Sequence, residues 1–191
     1  MLFAHVHLPL ADTPMNPKHA NRVILLTGDG KGKTSSALGM VLRAVGHGLR
    51  VCVVQFIKRR VDTGEAQALR LLPGVEHLVC GNGFVRERTG EAFEAHARAA
   101  RDGLARAAER LCDPAYGMVV LDEVCGAVAL GLLDVQAVVE ALAKAAPGKA
   151  VVLTGRDAPP ALTALADTVS VVTCVKHAYD HGAPAQRGVE W

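Results

Sequence analysis

Residues 27–35, Thr-Gly-Asp-Gly-Lys-Gly-Lys-Thr-Ser, decide the fold of this chain. The apolar run of residues 23–26, Val-Ile-Leu-Leu, comes directly before them, and a helical pattern follows from Lys33. A strand, a glycine-rich turn and a helix in this order bring unpaired backbone N–H groups and the positive end of a helix dipole to one point. Such a point attracts phosphate, so the stretch predicts a P-loop.

The side chains of this loop suit a bound triphosphate. Lys33 supplies a positive charge for the terminal phosphates, Lys31 adds a second, and the Thr34 hydroxyl is placed to ligate Mg²⁺. The loop is also a variant, because the first glycine of G-x-x-x-x-G-K-[ST] falls on Thr27 and the nearest glycine is Gly28. An ordinary glycine turn after a strand is the alternative interpretation.

A second apolar run, residues 118–121, ends in two acids, Asp122 and Glu123. We expect Asp122 to hold Mg²⁺, directly or through water, and Glu123 to reach the metal or the nucleotide. Two acids after a strand are also compatible with the start of a solvated loop. Their occurrence together with the glycine-lysine loop favours a nucleotide site.

The rest of the chain repeats the pattern of strand and helix about six times. This repetition predicts an α/β fold, a mostly parallel sheet of about six strands with helices on both faces. We predict one domain over residues 21–191 and an N-terminal tail over residues 1–20, which contain three prolines. The predicted strands are 23–26, 50–57, 75–79, 118–123, 150–154 and 168–172, and the predicted helices are 33–46, 91–112, 133–146 and 159–166.

Composition excludes several classes of function. The 21 basic and 19 acidic residues are spread along the chain and give a net charge of +2, so no basic patch for nucleic acid is expected. The five cysteines are an odd number without a C-x-x-C pair, and we interpret them as small buried residues in a reducing cytosol. Neither a signal peptide nor a membrane span is recognisable, which predicts a soluble, cytoplasmic protein.

Three further features fall where strands of a parallel sheet end, which is where ligands bind in such folds. The charged residues 58–65 are interpreted equally well as a wall of the site or as a solvated loop. Phe84 lies between glycine and charged residues, and either tucks beneath its loop or offers an apolar contact to a flat substrate. Arg156 follows the fifth strand. The tail, residues 175–191, is expected to pack back because it ends in Trp191.

With these residues in hand, the chain resembles the P-loop family of ATP:cob(I)alamin (corrinoid) adenosyltransferases over residues 22–191. The short form of the glycine-lysine loop is the form that this family uses. The P-loop alone is weakly specific, whereas the whole set of matching segments in this order is highly specific. These segments are residues 27–34, 43–48, 54–58, 64–65, 83–84, 121–123, 153–156, 166–167, 175–179 and 185–190.

The resemblance implies transfer of the 5′-deoxyadenosyl group of ATP to Co(I) of a reduced corrinoid, with release of triphosphate. It also implies a RecA-like fold, Mg²⁺, a homodimer and an electron-donor protein such as a flavodoxin. The residues carried over as catalytic are Lys33, Phe84 and Glu123; as nucleotide-binding, Gly28, Asp29, Gly30, Lys31, Gly32, Lys33, Thr34, Ser35 and Arg43; as metal ligands, Thr34, Asp122 and Glu123; and on the corrinoid side, Phe84 and Arg86.

Two positions depart from the family pattern. Similar enzymes often carry tryptophan two residues after the position of Phe84, and this chain has Arg86 there. A second tryptophan, common after Gln-Phe-Ile-Lys, is replaced by Val61. Both changes fall in loops that the resemblance places beside the corrinoid, so they bear on the choice of corrinoid and on the activation of Co(II), and leave the ATP half unchanged.

Two other functions are compatible with the motifs. Residues 29–34 are similar to the D-G-x-G-K-T of thymidylate kinases, although a kinase needs an arginine-rich lid and no such segment stands out. A non-catalytic carrier of a corrinoid or a nucleotide is the second alternative. It would bind ATP without releasing triphosphate.

Overall fold

A computed structural model of the chain describes residues 21–59 and 62–190. They form one six-stranded sheet in which every pairing is parallel, in the order β3-β2-β4-β5-β1-β6. The strands are β1 (Arg22–Thr27), β2 (Val51–Gln55), β3 (Val75–Val79), β4 (Met118–Asp122), β5 (Ala150–Thr154) and β6 (Thr168–Val171). The prediction of an α/β fold with a mostly parallel sheet is therefore confirmed.

Helices cover both faces of this sheet. Helix α1 packs on one face through Ala37, Val41 and Ala44, and α3 packs on the other through residues that include Leu104 and Leu111. The helices are α1 (Lys33–Gly46), α2 (Gly64–Leu71), α3 (Gly90–Cys112), α4 (Val124–Ala129), α5 (Val135–Ala143) and α6 (Pro160–Leu165), followed by a 3₁₀ helix (Ala178–His181).

The central strands are buried on both faces. All five residues of β2 and all five of β4 are buried, which is why these strands are continuous apolar runs rather than alternating ones. Their last residues are the polar exceptions, because Gln55 ends β2 and Asp122 ends β4, and the two are paired in register. Buried polar groups therefore collect at the carboxyl ends of the strands.

Strand order sets the geometry of the site. Strand β5 lies between β1, which precedes the glycine-lysine loop, and β4, which precedes the acid pair. Because neighbouring strands are about 4.8 Å apart, the ends of β1 and β4 are separated by about 10 Å. The first turn of α1 spans this gap, and the site is built across it.

The structure corrects several details of the sequence prediction. Residues 64–71, interpreted in part as a loop, form α2, whose first turn is capped by Thr63 accepting a hydrogen bond from Ala66 N at 3.4 Å. The short helix α4 after the acid pair was also missed. The five cysteines are all free, but Cys112 and Cys174 are exposed rather than buried.

Hydropathy of the helices bears on membrane insertion. Within residues 21–59 and 62–190, every helix is too short or too polar to cross a bilayer.

Candidate functional site

The glycine-rich loop between β1 and α1 is held in shape by the segment after β6. Gly30 N donates a hydrogen bond to Val172 O at 2.7 Å. A Cβ added to Gly28, which has a φ of 97°, would lie 2.5 Å from that same carbonyl oxygen, so the close approach requires glycine. The loop backbone is thus fixed before any ligand arrives.

Lys33, the first residue of α1, closes this loop on itself. Its ammonium group donates to Gly28 O at 2.6 Å and to Gly30 O at 2.8 Å, and the residue is 7% exposed. Burial lowers the pKa of Lys33, and the nearby Arg156 lowers it further, while Glu123 and other carboxylates oppose both effects. A poorly solvated ammonium group in a loop of open N–H groups is well suited to an anion.

Asp122 is the most constrained side chain of the site. Its Oδ1 accepts hydrogen bonds from Thr34 Oγ1 and Thr154 Oγ1, each at 2.8 Å, and its Oδ2 accepts one from Gln55 Nε2 at 3.0 Å. The residue is 1% exposed. These bonds join the first turn of α1 to β2, β4 and β5, and they hold the Thr34 hydroxyl at the inner end of the site.

The Glu123 side chain lines the cavity and that of Asp122 does not, because the backbone turns sharply after β4. It has a left-handed φ of 62°, and its N–H donates to Thr154 Oγ1 at 2.9 Å. Burial raises the pKa of Glu123, the adjacent Asp122 raises it further, and Lys33 acts in the opposite direction. A left-handed conformation is uncommon for a residue with a side chain, and such strain is frequent in functional sites.

One open cavity of about 1060 Å³ collects these groups at the carboxyl ends of the strands. Residues 29–35 and Glu123 line one end, and Ile57, Lys58, Arg59, Phe84 and Arg86 line the other. Ligand pockets of proteins are typically about 300–1,000 Å³, so this space accommodates a large ligand or two ligands side by side.

The far end of the cavity is built on the residues that follow β2 and β3. Phe84 is 89% exposed, which excludes the interpretation that it tucks beneath its own loop. Gly83 N donates to Ile57 O at 2.9 Å, and this bond ties the loop of Phe84 to the end of β2. Lys58 pairs with Glu65 at 2.6 Å, and both residues line the cavity together with Arg59, so these charged residues form part of its wall.

Two contacts complete the rim above the glycine-rich loop. Arg156 donates to Asp29 O at 3.4 Å, and it lines the cavity at the edge of the sheet where its position after β5 predicted a ligand site. Lys31 pairs with Glu190 at 3.5 Å, so the tail returns to the site. Trp191, on which we based the prediction that the tail packs back, lies outside the described residues, and charge pairing at Glu190 is the signal that we missed.

The structure brings together nearly all the residues that the sequence singled out. Asp29, Gly30, Lys31, Gly32, Lys33, Thr34, Ser35, Phe84, Arg86 and Glu123 line the cavity, while Gly28 and Asp122 lie directly behind its wall. Arg43 is the exception, because it is exposed in the last turn of α1 and does not line the cavity. Val61 lies outside the described residues, as do residues 1–20.

Oxygen atoms are the donors available to a cation here. The described residues contain no cluster of three or more His, Cys, Asp or Glu side chains suited to a metal. The Thr34 hydroxyl and the carboxylates of Asp122 and Glu123 are nevertheless adjacent, and Mg²⁺ in nucleotide sites commonly uses one or two carboxylates together with phosphate oxygens and water. This donor set therefore fits Mg²⁺.

Fold and site together define an α/β protein in which a glycine-lysine loop after β1 and an acid pair after β4 face one cavity, the arrangement of a P-loop protein. The sequence model of the family described as ATP:corrinoid adenosyltransferase BtuR/CobO/CobP matches residues 19–191. The chain belongs to this family of enzymes, and the resemblance found in the sequence is confirmed.

Individual relatives agree with the family match. The chain is 43% identical over 171 residues to a corrinoid adenosyltransferase of Pseudomonas aeruginosa. The aligned region covers 88% of this chain and 83% of that relative. It is 43% identical over 170 residues to the corrinoid adenosyltransferase CobA of Salmonella typhimurium (88% and 85%). A corrinoid adenosyltransferase of Escherichia coli K12 is 41% identical over 169 residues (88% and 85%).

Proposed function

We propose that this enzyme transfers the 5′-deoxyadenosyl group of ATP to the Co(I) centre of a reduced corrinoid and releases triphosphate. The observation that carries the proposal is the open cavity of about 1060 Å³, which is lined both by the loop of Lys33 and by the exposed ring of Phe84. One end is suited to a polyanion and the other to a large, flat, partly apolar molecule. A chain of this family needs both substrates in contact.

The chemistry demands alignment and charge stabilisation rather than proton transfer. Co(I) is a strong nucleophile, and its electron pair forms the cobalt–carbon bond to C5′ of the ribose. The C5′–oxygen bond breaks at the same time, and triphosphate departs with the bonding pair. No general base is required, so the protein contributes by holding the two substrates in line and by stabilising the leaving group.

Leaving-group stabilisation falls to the glycine-lysine loop. Lys33 would exchange its bonds to Gly28 O and Gly30 O for triphosphate oxygens, and the loop N–H groups would bind the same anion. Lys31 and Arg156, both on the rim, would add positive charge near the triphosphate as negative charge develops on it. Since Lys33 is largely shielded from water, its charge acts more strongly here than it would in solution.

Mg²⁺ fits the oxygen donors at the inner end of the cavity, where Thr34, Asp122 and Glu123 would hold it. When bound, the ion would neutralise part of the charge on the triphosphate. Asp122 would act chiefly by orienting the Thr34 hydroxyl, because three hydrogen bonds already engage its carboxylate. Glu123 would offer the more accessible carboxylate, since it lines the cavity.

Phe84 and Arg86 are assigned to the corrinoid. The ring of Phe84 is free to contact the macrocycle, and apolar contact there would favour loss of the lower axial ligand, which makes Co(II) easier to reduce. Arg86 replaces a tryptophan common in similar enzymes, so this chain would offer the corrinoid a guanidinium group at that point. We extend the proposal to a cytoplasmic homodimer that receives its electron from a donor protein such as a flavodoxin.

The test is a product analysis. We expect the protein, supplied anaerobically with ATP, Mg²⁺ and a chemically reduced corrinoid, to yield an adenosylcorrinoid and one equivalent of triphosphate. The adenosylcorrinoid is followed by absorbance, and the inorganic product by anion-exchange chromatography. Formation of ADP or phosphate would instead support a kinase or hydrolase, and ATP binding without any product would support a carrier.

A further inference from the structure

A row of polar side chains runs behind the acid pair, across three neighbouring strands. Gln55, at the end of β2, donates from Nε2 to Asp122 Oδ2 at 3.0 Å. The Oε1 of Gln55 lies 2.9 Å from Nε2 of His77 on β3. Gln55 and His77 do not line the cavity, so neither contacts a substrate there. The function proposed above makes no use of either residue.

Gln55 is a costly residue at this position. It is 0% exposed, and the other four residues of β2 are apolar. A buried amide lowers stability unless both its donor and its acceptor find partners, and an apolar side chain carries no such cost. Here both ends of the amide are engaged, one by Asp122 and one by His77. The amide therefore has a defined direction.

The chemistry of the partners fixes that direction. A carboxylate only accepts hydrogen bonds, so the amide nitrogen of Gln55 must face Asp122 and the amide oxygen must face His77. The Nε2 atom of His77 must then carry hydrogen and donate to Gln55. Replacing His77 with an apolar residue would leave the buried amide oxygen of Gln55 without a donor, and the amide would be held by Asp122 alone.

The result is a carboxylate held from both sides. Thr34 and Thr154 engage Oδ1 of Asp122, and Gln55 engages Oδ2. Rotation of the carboxylate would strain all three bonds, and Gln55 supplies the one that holds Oδ2, so Gln55 contributes to its orientation toward the Thr34 hydroxyl. Partners of this kind, one step removed from a metal or phosphate site, typically change affinity about 10- to 100-fold when removed.

We propose that Gln55 is a positioning residue, oriented by His77, which sets the Asp122 carboxylate toward Thr34 and thereby strengthens the binding of ATP with Mg²⁺. The inference rests on the proposed function in assigning the inner end of the cavity to the triphosphate. It adds two residues, outside the cavity, to the determinants of nucleotide affinity. The corrinoid end of the cavity has no part in it.

The first experiment compares Gln55→Leu with Val51→Ala. Val51 lies on the same face of the same strand, is 0% exposed, and is distant from the row. We expect Gln55→Leu to weaken ATP binding in the presence of Mg²⁺ about tenfold by calorimetry, with corrinoid binding unchanged by absorbance titration. Val51→Ala should lower the melting temperature and leave both affinities unchanged. An ATP affinity within twofold of the wild type in folded Gln55→Leu would overturn the inference.

The second experiment uses the half-buried His77, whose replacement disturbs the core less. His77→Leu should weaken ATP binding in the same direction as Gln55→Leu, and His77→Gln should restore it, because the new amide can donate to Gln55 Oε1. An equal affinity in His77→Leu and His77→Gln, or a parallel loss of ATP and corrinoid affinity, would show a merely structural role and overturn the inference.

These outcomes are separable from those of the proposed function. Calorimetry with ATP and Mg²⁺ needs no turnover, so the comparison of variants remains decisive if the wild type makes no adenosylcorrinoid. Conversely, a wild type that makes adenosylcorrinoid and a Gln55→Leu variant that binds ATP normally would refute the positioning role alone.

Discussion

The two ends of the cavity differ in how firmly the protein holds its side chains. At the end formed by the glycine-lysine loop, Lys33 is 7% exposed and Asp122 is 1% exposed, and each makes at least two hydrogen bonds. At the end lined by Phe84, that residue is 89% exposed, and its loop is anchored through the backbone of Gly83 and through Asn82 Nδ2, which donates to Ala95 O at 3.1 Å. The first end is organised before substrate arrives, whereas the second leaves the ring of Phe84 open to solvent.

This difference matches the work proposed for each end. Stabilising charge on a leaving group requires donors that are fixed in advance, because reorienting them during the reaction would cost free energy and offset the stabilisation. Contact with a large macrocycle requires area and shape, which exposed side chains supply when the ligand binds. Substitutions at the two ends should therefore differ in size and in kind.

The largest expected effect is at the firmly held end. Lys33→Ala should lower kcat with preformed Co(I) by about 100- to 1,000-fold, since it removes a preorganised charge from the leaving group. The rate of adenosylcorrinoid formation measures it, with Lys144→Ala as a control at an exposed lysine outside the cavity. Retention of most of the activity would show that the loop is not the triphosphate site.

A smaller and more selective effect is expected at the open end. Phe84→Ala should slow the reaction that starts from Co(II) about tenfold, roughly 1.4 kcal/mol, and should affect preformed Co(I) less. Its melting temperature should match that of the wild type, because the ring is exposed. Leu71→Ala, an equally exposed apolar position outside the cavity, is the control. Equal losses from Co(II) and Co(I) would argue against the role given to Phe84.

The raised pKa of Glu123 predicts a pH effect on stability without substrates. Because folding raises this pKa above its ordinary value of 4.5, the carboxyl group contributes stability below pH 4.5, and that contribution is lost as the pH rises through the raised pKa. Glu123→Gln should remove this dependence. The melting temperature of the variant should exceed that of the wild type increasingly as the pH rises above 4.5, by about 2–4 °C for each kcal/mol of unfolding free energy. The same pH dependence of the melting temperature in the wild type and the variant would contradict the raised pKa of Glu123.

The smallest expected effect is at Arg43, and it tests whether this residue contacts nucleotide only in an assembly of two chains. Arg43 lies in the last turn of α1 and does not line the cavity, so Arg43→Ala should leave the KM for ATP within about twofold of the wild type, as for an ordinary surface substitution. Steady-state kinetics with varied ATP measures it. A large rise in KM would support the assignment of Arg43 to nucleotide binding, and would favour its acting at the site of a second copy of the chain.

Sequence reasoning succeeded where a motif combines local geometry with chemistry. The glycine-lysine loop and the acid pair each follow a buried strand, and parallel strands bring such ends to one edge, so their meeting was predictable. Helix α2 was missed because Lys58 and Glu65 gave its start the appearance of a charged loop. The contacts of Gln55 with Asp122 and His77 were not predictable, since they depend on strand order and register, which no local pattern encodes.

The anchoring of the Phe84 loop has a consequence for how this protein can vary. A Cβ at Gly81 would collide with the backbone of Ile57, the residue just before Lys58. Any larger residue at that position would therefore displace the ends of two strands together and shift both walls of the open end at once. Residues after Gly83, such as the exposed Phe84 and Arg86, can by contrast change one side chain at a time while the loop of Lys33 keeps its shape.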